Sequence, residues 1–486
     1  MGKPVKLYLE TMGCPKNQAD SRQIQGMLAE AGFGFTHEPQ EAEVILLNTC
    51  GFIDEAKEES IDAILRLAQW KEDGQCRRLV VTGCLVQKYG EELLEAIPEA
   101  DLFLGVADWD ALLGDVRAYA AASSTDTSNL AANSLAANSL AASNADQGAA
   151  GQGATDRARR LQAGSPDRDL YRNEWAVAGE ETPAGYIKIA DGCDHYCTFC
   201  VIPQIRGRYR SRTPGSILQE AADRAANGLR EAVLVAQDTG AYGRDLEPAS
   251  SLAELIGGLT AIDGLQRIRV MYCYPEAVDD ALIQAMKHPK VCPYLDMPLQ
   301  HVDDDLLKRM GRPLGAAGLK AVIRRLREAI PGIAIRTTMM VGFPGETEAA
   351  FDKMMAFLDE YRLERVGFFA FSPQPGTPAE RMPGQIPQET KEQRLAEAMG
   401  RQEELMASWH ASMVGKTIEV CIDGEAGRDG AAIHYEGRSR WDAPEIDGIV
   451  CFSSALRFAP GQTVQIKITH SRDYLLFGEI HDESSQ

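Results

Sequence analysis

Apolar and polar positions follow three different regimes along this chain. Over roughly the first 117 residues, short aliphatic runs at 5–9, 42–47 and 78–82 are separated by stretches at 20–31 and 54–70. In those stretches the apolar residues recur near helical spacing. Strands alternating with helices in this way predict a parallel sheet with helices on its faces. From about 183 to 400 the alternation resumes, with candidate strands at 186–190, 232–236, 268–272, 294–297, 334–341 and 366–371. Six strands separated by helices predict a partial (β/α)6 barrel, in which chemistry sits on the loops after the strand C-terminal ends. Beyond about 412 the pattern turns all-β: runs at 417–422, 449–452, 463–468 and 474–477 are separated by Gly-, Asp- and Pro-bearing turns. Short strands at this spacing predict a small barrel.

Residues 121–165 fit none of these regimes. Positions 129–140 repeat a five-residue Asn/Leu/Ala/Ser unit. Few large apolar side chains there can offset the entropy of ordering, so a disordered low-complexity linker is expected. A marginal alanine-rich helix is the competing reading. The expected division is an N-terminal α/β domain at 3–120, the linker at 121–165, a central domain at 179–410 and a terminal β-barrel at 412–482. A length of 486 residues suits several domains.

Composition narrows the class. No run of ~18 apolar residues is present, so no membrane span is expected. The N-terminus lacks an apolar signal core, which points to a cytoplasmic protein. Eleven cysteines in such a chain argue for metal or catalysis rather than disulfides. The net charge of −21 disfavours broad binding to a phosphate backbone and suits a basic partner or simple solubility.

The cysteines carry the candidate chemistry. Gly-Cys-Asp-His-Tyr-Cys-Thr-Phe-Cys at 192–200 places Cys193, Cys197 and Cys200 in a C-x3-C-x2-C loop directly after the strand expected at 186–190. Three thiolates on one loop can hold three irons of a cubane cluster and leave the fourth open. Structural zinc is a competing reading, although no second C-x2-C pair is present to close such a site. His195, crowded among the ligands, reads as a passenger.

Cys14, Cys50 and Cys84 each follow an expected strand of the N-terminal domain. In a parallel sheet those ends share one edge, the edge where open α/β sheets bind ligands. A second cubane cluster is one reading of these three thiols, and three small buried residues is the other. Cys76 precedes its strand and falls on the opposite edge.

The cysteine loop, with the aromatic Phe199 before its last cysteine, resembles that of the radical S-adenosylmethionine enzymes. That resemblance implies a 4Fe–4S cluster on Cys193, Cys197 and Cys200, with S-adenosylmethionine on the open iron and Phe199 near its adenine. Cys-Pro-Lys-Asn at 14–17, Asp20-Ser21, the later cysteines, the barrel and the terminal β-domain together resemble the methylthiotransferases over nearly the whole chain. Membership implies a second 4Fe–4S cluster on Cys14, Cys50 and Cys84, a terminal TRAM domain and an external electron donor. No side-chain acid or base is expected as a catalytic residue, because removing hydrogen from an unactivated carbon needs a cofactor radical.

Gln237 and Asp238 follow the second central strand, and Gln300 follows the fourth; they are candidate contacts to S-adenosylmethionine. Asp238 as a helix cap and His301 as a structural residue are the alternatives. Arg206 and Arg208 could pair with a carboxylate or form a solvated basic stretch. Residues 342–347 could present backbone amides to a ligand or form a simple Gly/Pro turn.

Two branches of the family compete. Pro-Leu-Gln-His at 298–301, Arg-Thr-Thr at 336–338 before Val-Gly-Phe-Pro-Gly-Glu-Thr at 341–347, and Asp-Ala-Pro-Glu-Ile-Asp-Gly at 442–448 resemble the ribosomal branch. That branch adds a methylthio group to the β-carbon of an aspartate of small-subunit ribosomal protein S-twelve. The alternative is the branch that modifies a tRNA adenosine beside the anticodon. Residues 412–486 carry 7 Lys/Arg against 12 Asp/Glu, a balance of −5. An acidic terminal barrel suits a basic protein partner better than stable nucleic-acid binding. Asp442, Glu445 and Asp447 are therefore expected to contribute to docking.

Overall fold

The computed structural model describes residues 5–51, 53–106, 108–124, 160–166, 181–430 and 432–481. The chain divides into two compact units, one of residues 1–179 with 201–208 and one of residues 180–200 with 209–486.

The first unit is built on a parallel sheet of β1 (Lys6–Thr11), β2 (Gly34–Phe35), β3 (Val44–Thr49), β4 (Arg78–Gly83), β5 (Leu102–Leu104) and β6 (Leu161–Gln162). Its order is β2-β1-β3-β4-β5-β6. β3 is buried along its whole length, as a strand covered on both faces must be. Ile45, Leu47, Leu79 and Val81 pack on one side with the helices Asp54–Ala68 and Cys84–Ala96. Val44, Leu46 and Val80 pack on the other with Pro15–Glu30 and Trp109–Ser124.

Both ends of the segment 121–165, expected to be linker, hold regular structure. Residues 121–124 complete the helix Trp109–Ser124, and Leu161 and Gln162 extend the sheet beside Phe103 and Leu104. Leu161 fills the space a side chain at Gly90 would occupy, and Gln87 donates to the Gly164 carbonyl at 2.9 Å. An apolar residue at the end of a polar segment thus finds a long-range partner that local composition does not reveal. The repeat at 129–140 lies outside the described residues.

The second unit holds β7 (Ala184–Lys188), β8 (Ala190–Asp191), β9 (Arg210–Ser211), β10 (Glu231–Val235), β11 (Arg267–Val270), β12 (Val291–Asp296), β13 (Ala334–Val341) and β14 (Arg365–Ala370). All of these except β8 and β9 form a six-stranded parallel sheet whose order follows the chain from β7 to β14. β8 and β9 pair separately. Helices between the strands pack apolar residues such as Ile217, Leu255, Leu282 and Ile323 against the sheet.

β15 (Thr417–Asp429), β16 (Ala432–Ser439), β17 (Ile449–Ser454), β18 (Thr463–Arg472) and β19 (Leu475–Ile480) close into a barrel. Its core is Val420, Ile422, Tyr435, Val450, Phe452, Ile466 and Ile468.

Buried ion pairs join this barrel to the parallel sheet. Glu231 accepts from Arg269 at 2.7 Å and from Arg438 at 2.9 Å, and Arg267 donates to Glu419 at 2.9 Å. Arg365 donates to Asp442, and Tyr294 donates to Asp447 at 2.8 Å. The expectation that Asp442 and Asp447 face a docking partner is therefore corrected. Their side chains are 3% and 4% exposed and meet arginines of the preceding domain. Part of the barrel's acidity neutralises Arg267, Arg336 and Arg365 within the chain.

Candidate functional site

In the first unit the strand order reverses between β1 and β3, and ligands bind outside the carboxyl ends of strands at such a switch point. Cys14 follows β1 and precedes the helix Pro15–Glu30 as its N-cap residue. Cys50 follows β3 directly, and Cys84 follows β4 as the first residue of the helix Cys84–Ala96. Two of the three thiols thus sit at helix N-termini, where the backbone dipole favours a thiolate. Close approach explains the glycines. Gly13 has φ +87°, and a Cβ there would lie 2.6 Å from the Cys50 Cβ; Gly83 has φ +107°, and a Cβ there would lie 2.5 Å from Asn48 Oδ1. Cys76 is buried at the opposite end of β4.

Asn17 ties these loops together. Its carboxamide nitrogen donates to the carbonyls of Met12 and Thr49, both at 3.0 Å. Asn48 donates to the Asn17 carbonyl at 3.0 Å and to Ser21 at 2.9 Å. Arg206, which the sequence left open as solvated, is 2% exposed and donates to Asp20 at 2.6 Å and to Asn17 at 2.8 Å. It also reaches the Cys84 sulfur at 3.3 Å. Burial pushes the Cys84 thiol up to about 11, and Arg206 pulls it the other way.

In the second unit the loop after β8 carries Cys193, Cys197 and Cys200. Cys193 and Cys197 are buried, and the Cys200 amide donates to the Cys197 carbonyl at 3.0 Å. Burial pushes the Cys193 thiol up to about 12. Arg312 is buried, lies 4.1 Å over the Tyr274 ring, and points a nitrogen at the Cys197 sulfur at 3.8 Å.

His195 is not a passenger. Its Nε2 meets Asp238 Oδ2 at 2.7 Å, and its ring stacks on Tyr274 with centroids 3.9 Å apart. The other Asp238 oxygen accepts from the Gly240 amide at 2.9 Å and the Tyr274 amide at 3.4 Å. Asp238 thus caps the turn Thr239–Ala241 and orients His195. No local pattern reports a stack made by residues this far apart in the chain.

Gln237 and Gln300 each bury a carboxamide oxygen with no hydrogen-bond partner among the described residues. Gln300 also holds φ +72°, a conformation non-glycine residues rarely adopt. Orphaned buried acceptors are costly unless a ligand satisfies them. Phe199 meets Phe343 edge-on, with ring centroids 6.4 Å apart. His301 is fully buried, bonded to Glu346 at 3.2 Å and to the Asp303 amide at 3.0 Å, and is structural. Glu346 also accepts from the Gly342 amide at 2.7 Å, so the turn at 342–347 is held by its own carboxylate.

Both thiol sets are soft donors on tight loops with a guanidinium beside each, and they fit an iron–sulfur group. No three His, Cys, Asp or Glu side chains among the described residues are placed to hold a single metal ion. A cubane spreads its thiolates over separate irons, so it does not require that closeness.

Residues 6–105 match the model of Uncharacterized protein family UPF0004, 187–358 that of the Radical SAM superfamily, and 414–480 that of the TRAM domain. Ribosomal protein uS12 methylthiotransferase RimO of Heliobacterium modesticaldum is 41% identical over 99% of this chain and 96% of its own length. The RimO of Geobacter sulfurreducens is 39% identical over 98% of both chains. The radical S-adenosylmethionine methyltransferase TsrM of Kitasatospora setae matches with a TM-score of 0.53 at 14% identity, covering 88% of this chain and 79% of that one. That match shows a shared fold. The chain belongs to the RimO family of ribosomal protein uS12 methylthiotransferases.

Proposed function

We propose that this protein adds a methylthio group to the β-carbon of an aspartate of ribosomal protein uS12, using a 4Fe–4S cluster on Cys193, Cys197 and Cys200 and a second on Cys14, Cys50 and Cys84. The observation that carries this reading is the convergence of Cys14, Cys50 and Cys84 on the switch-point edge of one parallel sheet. With an external electron donor, the clusters would supply an electron and the sulfur to insert, one S-adenosylmethionine would supply the radical that takes the hydrogen, and a second would supply the methyl group.

The chain's own residues bind and orient. Gln237 and Gln300 offer their unpartnered oxygens to the amino or hydroxyl groups of S-adenosylmethionine, and Phe199 packs beside its adenine. Asp238 fixes His195, His195 stacks on Tyr274, and Tyr274 lies under Arg312, which leaves the Arg312 cation facing Cys197. The six-stranded sheet that carries these groups is read as a partial (β/α)6 barrel, with domains at 3–120, 179–410 and 412–482. No helix among the described residues is long and apolar enough to cross a membrane. Nothing among the described residues favours the tRNA adenosine alternative.

The test is anaerobic incubation of the reconstituted protein with a low-potential reductant and S-adenosylmethionine. 5′-Deoxyadenosine is expected from the parent and not from Cys197→Ala. Its absence from the iron-loaded parent rejects the reading.

A further inference from the structure

We infer that Arg206 is a positioning cation for the N-terminal thiol site, which holds the Cys84 sulfur and raises the reduction potential of the iron–sulfur group bound there. The inference rests on the reading of Cys14, Cys50 and Cys84 as ligands. It goes beyond that reading by giving a named residue a measurable electronic effect.

Three observations converge. First, the guanidinium is buried and donates to three polar atoms of the site: Asp20, Asn17 Oδ1 and the Cys84 sulfur. A guanidinium stays charged at any working pH, and in a low-dielectric interior its field is screened little. Second, Asn17, which receives one arm of the fork, itself bonds the carbonyls just before the Cys14 and Cys50 loops. The planar fork therefore acts on all three loops at once, which a lysine point charge cannot do. Third, the segment is anchored for this purpose. Residues 201–208 belong to the first unit, where Val201 and Ile205 pack with Cys84 and Val106.

Reduction adds negative charge to a cluster already held by thiolates. A fixed cation and a hydrogen bond to a ligand sulfur both favour the reduced form. Asp20, at 2.6 Å from the guanidinium, offsets part of that charge. Arg206 and Asp20 should therefore move the potential in opposite directions.

The experiment uses the full chain with Cys193, Cys197 and Cys200 replaced by Ala, so that one cluster remains. Iron per chain is measured first, then the midpoint potential by a redox titration followed by electron paramagnetic resonance. Arg206→Gln should lower the potential by at least a tenfold change in the reduced-to-oxidised ratio, about 59 mV for a one-electron couple. Asp20→Asn should raise it, and Arg206→Lys should fall between Arg206→Gln and the parent. Retained iron with unshifted potentials in Arg206→Gln and Asp20→Asn overturns the inference. If Arg206→Gln loses its iron, Asp20→Asn decides: an upward shift supports the inference, and no shift or a downward one overturns it. Loss of iron from all three variants also overturns it, because geometry rather than charge would then govern the site. A parent background that binds no iron instead rejects the ligand assignment.

Discussion

Arg438 of the terminal barrel donates to Glu231 of the parallel sheet at 2.9 Å, with both side chains almost wholly buried. Glu231 also accepts from Arg269; burial pushes its carboxyl up, and the two guanidiniums outweigh that and hold it down to about 2. Glu231→Gln leaves the buried Arg269 without its anion and Arg438 with Asp423 alone. Unfolding in denaturant should show a loss of about 3–5 kcal/mol, the usual cost of breaking a buried ion pair from one side. A variant as stable as the parent would mean water reaches the pair.

His410 supplies a pH dependence at the same junction. It is buried, accepts from Arg365 at 3.3 Å and bonds the Asp473 carbonyl at 3.3 Å. Burial first, and Arg365 second, lower its pKa to about 4. The unfolded chain takes up a proton near pH 6.5, before the folded chain does, so this contribution is present above pH 6.5 and lost as pH falls toward 4. At pH 5.5 the loss is about 1 kcal/mol. Thermal melts at pH 7.5 and 5.5 should differ more for the parent than for His410→Gln.

Gln300 joins a buried, unpartnered oxygen to a positive φ. Gln300→Gly keeps the backbone accessible and removes the carboxamide. Affinity for S-adenosylmethionine should fall roughly tenfold, about 1.4 kcal/mol, with iron content unchanged. Unchanged affinity would place the cofactor elsewhere.

Replacing Cys14, Cys50 and Cys84 together by Ala should leave about half the iron. 5′-Deoxyadenosine formation should persist in that variant while methylthio transfer is lost. Full iron retention would remove these thiols from the site.

Much of this design is legible in the sequence because it is local. Strand and helix periods place the elements, and a cysteine at the end of a strand marks a sheet edge regardless of what lies beyond it. Arg206, His195 and Asp442 were not legible in the same way. Each is polar in a polar neighbourhood, and its meaning comes from a partner far along the chain: Asn17 and Cys84, Tyr274, and Arg365. Charge counting misread the terminal barrel for the same reason, since a sum cannot tell an exposed carboxylate from one paired inside the chain.

The central claim is tested most directly by the masses of ribosomal protein uS12 and of tRNA nucleosides from cells lacking this gene, before and after its return. On return of the gene, one aspartate of uS12 should gain a methylthio group in place of a hydrogen, and a Cys50→Ala copy should not restore it. A methylthio group that returns only on a tRNA adenosine, never on the ribosomal aspartate, would contradict the account.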